Sequence, residues 1–205
     1  LPRQLVTRKS LENAAAAVAA TGGSTNAALH LPAIAHEAGI RFTLDDFARV
    51  AKRTPLIADM KPGGRFLAKD LHAVGGVYWV LKELLEGGAL HGECLTILGS
   101  SLEENLKRHA GADGSVVRKE PIMKTGGLVV LKGNLAPDGA LLKVAGLKSL
   151  VFEGPARVFD CEEACAEVVR KRTYEEGEVL VIRYEGPRGG PGMREMLGVT
   201  AMLYG

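Results

Sequence analysis

"KTGGLVVLKGNLAPDGALLKVAG", Lys124 to Gly146, is the stretch at which the chain changes character. Short apolar runs rich in β-branched residues are divided by Gly, Asn, Pro and Asp, the pattern of strands separated by turns. "APDG", Ala136 to Gly139, is a turn with proline at its first central position, where the fixed φ of proline already suits the geometry. Two later segments read the same way: "LVFEGPARVF", Leu150 to Phe159, and "EVLVIRYEGP", Glu178 to Pro187. One helix, from about Glu162 to Lys171, interrupts these strands.

Working back from Lys124, the chain reads as helical. "KSLENAAAAVAATGGSTNAALHLPAIAHEAG", Lys9 to Gly39, is alanine-rich and helical at both ends. Ser10 is placed to cap its first helix, Gly22 and Gly23 to end it, and Ser24 or Thr25 to cap the next, which runs to Gly39. "TLDDFARVAKRT" opens at Thr43 and stops at Thr54–Pro55. "DLHAVGGVYWVLKELLEGG" is a helix broken or loosened at Gly75–Gly76, and "SLEENLKRHAG" carries Ser101 as cap with Glu104 three residues on. A helical first half, 1–110, is therefore expected to precede a β-rich second half, 111–205, with the boundary between Arg108 and Val116.

The 205 residues suffice for one large domain or two small ones. Hydrophobic residues make up 46% and charged residues 24%, an ordinary globular balance. A net charge of +2 gives no basic surface that argues for nucleic acid. No apolar run reaches membrane-spanning length, and "LPRQLVTRKS" has no apolar core of a signal peptide. The first residue is leucine and not methionine, which fits a segment of a longer protein. Cys94, Cys161 and Cys165 are too few and too odd in number for a disulfide framework, so a reducing, cytoplasmic setting is expected. Cys161 and Cys165, four apart in "DCEEACAEVVR", are expected to share one helix face as small, partly buried residues.

Two places suggest chemistry. "TGGSTNAALH" sets Ser24, Thr25 and Asn26 at a helix start, where free N–H groups and the positive end of the dipole favour a carboxylate or phosphate. A plain helix cap explains the same residues. "RYEGPRGGPGM", Arg183 to Met193, mounts Glu185 at a strand end before a loop with more glycine and proline than a turn needs. A hard cation such as Mg²⁺ takes such an oxygen ligand; a solvated glutamate is the plainer alternative. His30, His36, His72 and His91 form no zinc spacing, and Cys94 reads as a small buried residue.

"TGGSTNAALHLPAIAHEAGI", "LHGECLTILGSSLEENL", "KTGGLVVLKGNLAPDGALLKVAG", "FEGPARVFD" and "VIRYEGPRGGPGMREML" occur in that order over nearly the whole chain. Together they closely resemble the dihydroxy-acid dehydratase and phosphogluconate dehydratase family. Within it, "KTGGLVVLKGNLAPDGA" and "GMREMLGVTAMLYG" are most similar to the dihydroxy-acid dehydratases of branched-chain amino-acid biosynthesis. The resemblance implies the helical end of an α/β N-terminal domain followed by a β-barrel-like C-terminal domain with flanking helices, an α+β or α/β arrangement. It implies dehydration of 2,3-dihydroxy acids to 2-keto acids by a hydro-lyase, with an iron–sulfur cluster and Mg²⁺ as cofactors. It also implies a homo-oligomer, a dimer or tetramer, acting on a small molecule and on neither nucleic acid nor membrane. The family's Mg²⁺ is held partly by the glutamate of "YEGP", here Glu185, and "TGGSTN" lies near its active site. The family's cluster cysteines and remaining Mg²⁺ ligands, a modified lysine among them, precede "TGGSTN", and its serine base follows "YEGPRGGPGM" in a "GRFSGG"-type motif. None of these is in the sequence, and Cys94, Cys161 and Cys165 match none of the ligand motifs, so the 205 residues alone are expected to be inactive. A piece of a sugar-acid dehydratase, a non-catalytic binding module built on the fold, and a cluster-free enzyme using Glu185 and a metal are the other readings.

Overall fold

The computed structural model describes residues 1–186 and 197–204. They form two compact units, Leu1–Lys148 and Ser149–Gly205, with mixed α+β structure.

The first unit is built on α2 (Arg8–Ala20), preceded by the single turn α1 (Pro2–Leu5). Thr7, not Ser10, caps α2. The Thr7 hydroxyl accepts from the Ser10 N–H, while Ser10 Oγ, three residues on, accepts from the Thr7 N–H. Both residues have the required chemistry; the helix starts earlier because the reciprocal pair satisfies two otherwise orphaned donors. Leu11, Ala15, Ala16, Ala19 and Ala20 turn one face of α2 inward at helical spacing. Against that face pack α3 (Ala27–Glu37), α4 (Leu44–Arg53) and α6 (Val77–Glu86). Phe47 and Val80 are fully buried there. The segment read as broken or loosened at Gly75–Gly76 is broken there into two helices, α5 (Ala68–Ala73) and α6, because Gly75 and Gly76 take φ of 123° and 73°. A short α7 (Leu102–Leu106) starts at Ser101 with the expected Glu104 capping box.

The loop after α6 is clamped to α2. Buried Asn13 donates through Nδ2 to the His91 carbonyl (3.0 Å) and accepts through Oδ1 from the His91 N–H (2.8 Å). His91 Nε2 lies 2.7 Å from Glu12 Oε2. Burial pushes the Glu12 carboxyl up, but hydrogen bonds with His91, Arg8 and Arg53 outweigh it and hold the group below its ordinary value. Asn13→Ala leaves both backbone groups of His91 unpaired and is expected to cost about 1–3 kcal/mol, read as a lower urea midpoint at unchanged m-value.

The opening stretch forms the hairpin expected of it: β1 (Leu128–Leu131) pairs antiparallel with β2 (Ala140–Lys143), Leu128 facing Lys143. Its entry is joined to the end of α2, whose last carbonyls have no partner within the helix. Ala19 O accepts from the Gly127 N–H, and Ala20 O from the N–H groups of Ile57 and Ala58. The approach is so close that a Cβ on Gly127 would lie 2.8 Å from Ala145 Cβ and 3.1 Å from Gly22 Cα.

The second unit is a strand–helix–strand. β3 (Ala156–Phe159) leads into α8 (Glu162–Lys171), and β4 (Val179–Ile182) returns parallel to β3, Phe159 facing Ile182. Helix α9 (Leu197–Tyr204) packs on α8. Phe159, Cys165, Val169 and Val199 make its small core. Cys161 and Cys165 do not share a helix face: Cys161 is the extended N-cap residue outside α8, and only Cys165 is inside and buried. Among the described residues the strands form two two-stranded sheets and no closed barrel.

Helix α8 ends on Arg172 in the left-handed conformation, φ 52° and ψ 42°. Glycine adopts this conformation without the Cβ penalty of about 1–2 kcal/mol, partly offset by its freer unfolded chain. Arg172→Gly should therefore stabilise the unit by about 0.5 kcal/mol, a small rise in the thermal midpoint by calorimetry.

Candidate functional site

Parallel pairing explains where Glu185 sits. In a strand–helix–parallel strand unit the helix starts at the edge where both strands end, the edge at which open α/β sheets place their ligands. Three residues after Phe159, α8 begins at Glu162. After Ile182 the chain keeps one more ladder bond, the Arg183 N–H to the Phe159 carbonyl at 2.9 Å, and Arg183 pairs with Asp160. Tyr184 then takes φ 64°, a left-handed conformation that a bulky residue adopts at a cost of about 1–3 kcal/mol. The turn brings Glu185 back onto α8, where Oε1 accepts a 2.9 Å hydrogen bond from the Glu162 N–H. The Cys161 side chain makes no capping bond. A half-buried carboxylate two elements away thus satisfies one of the helix's first N–H groups and faces the positive end of its dipole.

Ser24, Thr25 and Asn26 belong to the first unit. α2 gives way to a turn through Gly22, φ 57°, and Asn26 is the N-cap position of α3, with no side-chain capping bond. Ser24, exposed, accepts through Oγ from the Asn26 N–H at 3.2 Å. The N–H groups of Ala27 and Ala28, donors an anion would use, already bond to the carbonyls of Ser24 and Thr25. Any anion at this turn therefore relies on side chains more than the sequence suggests.

Neither Cys94 nor Cys165 is set up as a thiolate. Burial, and for Cys94 the neighbouring Glu93, push both thiols up. His30, His36 and His72 are exposed, and His91 is spent on Glu12. Among the described residues no three His, Cys, Asp or Glu side chains gather into a metal site. No helix among them is long and apolar enough to cross a membrane. The glycine-rich loop expected to make room beside Glu185, from Pro187 to Met193, lies outside the described residues.

The family model described as "Dihydroxy-acid/6-phosphogluconate dehydratase N-terminal" matches residues 1–105, and the corresponding C-terminal model matches residues 116–205. The chain belongs to the dihydroxy-acid/6-phosphogluconate dehydratase family.

Among the relatives of this dehydratase chain, "Dihydroxy-acid dehydratase 2" of Bordetella bronchiseptica is 70% identical over 207 residues, covering all of the chain and 36% of that protein. "Dihydroxy-acid dehydratase" of Parvibaculum lavamentivorans is 64% identical over 209 residues, with 36% of its length covered. "Dihydroxy-acid dehydratase 2" of Mesorhizobium japonicum is 62% identical over 207 residues, with 35% covered. The chain thus spans about a third of the length of the curated relatives it matches.

Proposed function

We propose that the chain is a portion of a dihydroxy-acid dehydratase, which removes water from 2,3-dihydroxy carboxylic acids to give 2-keto acids in branched-chain amino-acid biosynthesis. The observation that carries this reading is identity of 70% to a protein of that name across all 205 residues. The acting protein is a cytoplasmic homo-oligomer whose partner is a small dihydroxy acid. Its cofactors are an iron–sulfur cluster and Mg²⁺, which when bound supply Lewis-acid polarisation of the substrate's carboxylate and leaving hydroxyl.

The donors of this chain fit Mg²⁺ and do not fit the cluster. Mg²⁺ keeps several waters and is commonly held by one or two carboxylates, a role open to Glu185 as one ligand among others. A cluster needs a set of thiolates, and Cys94, Cys161 and Cys165 are not gathered into one. Glu185 therefore presents a hard oxygen at a strand end. Ser24, Thr25 and Asn26 offer hydroxyl and amide groups suited to the substrate's carboxylate.

Turnover by the full-length protein tests the reading. Branched 2,3-dihydroxy acids should be converted to 2-keto acids at least tenfold more efficiently than phosphogluconate, and the isolated 205 residues should convert neither. Preference for the phosphorylated sugar acid would move the protein to the sugar-acid branch of the family. Metal-dependent turnover by the isolated chain would refute its dependence on the rest of the protein.

A further inference from the structure

Glu185 reaches Glu162 across a gap of 23 residues because parallel pairing of β3 and β4 stacks the end of one strand beside the start of α8. Tyr184 holds a costly backbone conformation at the one residue between the last ladder bond and this carboxylate. The capping position itself is left to Cys161, whose side chain makes no capping bond. Strand register and the hydrogen bond from the first N–H of α8 converge on one carboxylate orientation. A carboxylate that only capped a helix would be supplied more cheaply by Ser, Thr, Asp or Asn at the N-cap itself.

We propose that the backbone N–H of Glu162 is the positioning group for Glu185: by holding Oε1 it sets the direction in which the carboxylate is presented to Mg²⁺. This rests on Glu185 being a Mg²⁺ ligand, as proposed above. The physical warrant is general: groups that hydrogen-bond to a metal ligand fix its orientation, and their loss costs roughly 10- to 100-fold in metal affinity. Here the orienting group is main chain, so what the hydrogen bond to Glu185 requires of residue 162 is an N–H. Proline is the one residue that lacks it. Glu162 is the first residue of α8, where proline is well accommodated, and Cys161 before it is extended, φ −158° and ψ 160°, as a residue preceding proline should be. Glu162→Pro thus removes this N–H together with the side chain and leaves the helix in place, and Glu162→Ala removes the side chain alone.

The test measures Mg²⁺ affinity by calorimetric titration in the full-length dehydratase. Glu162→Pro should raise the Mg²⁺ dissociation constant about 10- to 100-fold, while Glu162→Ala, which keeps the N–H and removes the side chain, should stay within about threefold of the parent. Hydrogen exchange at Glu167–Arg170 reports whether α8 is intact. If the proline variant does not fold, an α-hydroxy acid incorporated at position 162 removes the same N–H. Glu185→Gln separates the two layers of the argument. Weakened binding in Glu185→Gln but parental binding in Glu162→Pro overturns the positioning role alone. Parental binding in Glu185→Gln overturns the ligand reading and the positioning role with it.

Discussion

Glu185→Gln in the full-length protein is expected to lower the proposed dehydration at least 100-fold and to weaken Mg²⁺ binding by a similar factor, with the absorption spectrum of the proposed iron–sulfur cluster unchanged. Glutamine keeps the shape of the side chain, and its amide oxygen still accepts from the Glu162 N–H that now reaches Oε1 at 2.9 Å. What it removes is the negative charge. A hard divalent cation that keeps most of its own waters relies on its few carboxylates for affinity. Because the cap survives, the fold around α8 should survive as well, and the thermal midpoint should stay within about two degrees of the parent. Unchanged Mg²⁺ dependence in this variant would remove Glu185 from the metal site. A collapse in stability would instead show that the carboxylate's charge at the positive end of α8 holds the fold.

The second large effect belongs to the first unit. Phe47 on α4 is completely buried, in a core shared with Val50, Ala51 and the alanine face of α2. Alanine cannot refill the space that faces α2, where Ala15, Ala16 and Ala19 are already small and buried. Phe47→Ala should cost about 3–5 kcal/mol, lost transfer free energy plus the cavity left behind. Chemical denaturation gives the check: a loss below 1 kcal/mol would mean that the neighbouring helices close over the site.

Much of this was legible in the sequence because it is local. Thr43 and Ser101 begin helices since each has a partner three residues on, Asp46 and Glu104, that completes a capping box. "APDG" joins β1 to β2 because a turn and its flanking strands lie side by side in the chain. The missed features depend on distant neighbours. Thr7 and Ser10 are equally able caps by type, and only the helix start decides between them. Nothing in "LVFEGPARVF" or "EVLVIRYEGP" states that these runs pair parallel, so the meeting of Glu185 with Glu162 could not be read. Tyr184 gives no hint of a left-handed backbone, a conformation normally signalled by Gly, Asn or Asp. The family resemblance supplied Glu185 as a ligand, but not what holds it.

The joint between α2 and the hairpin also sets an order in time. Ala19 and Ala20 are made early, and the carbonyl of Ala19 takes local N–H groups of Thr21 and Gly22, yet its bond to the hairpin comes from Gly127, 108 positions later. At roughly 5–20 residues per second, a ribosome takes on the order of 5–20 s to supply that N–H. Until then α2 and the helices that pack on it, the last of which ends at Glu86, lack their hairpin. A pause in translation before Gly127 would therefore lengthen the interval in which the end of α2 stands without the hairpin that closes over it.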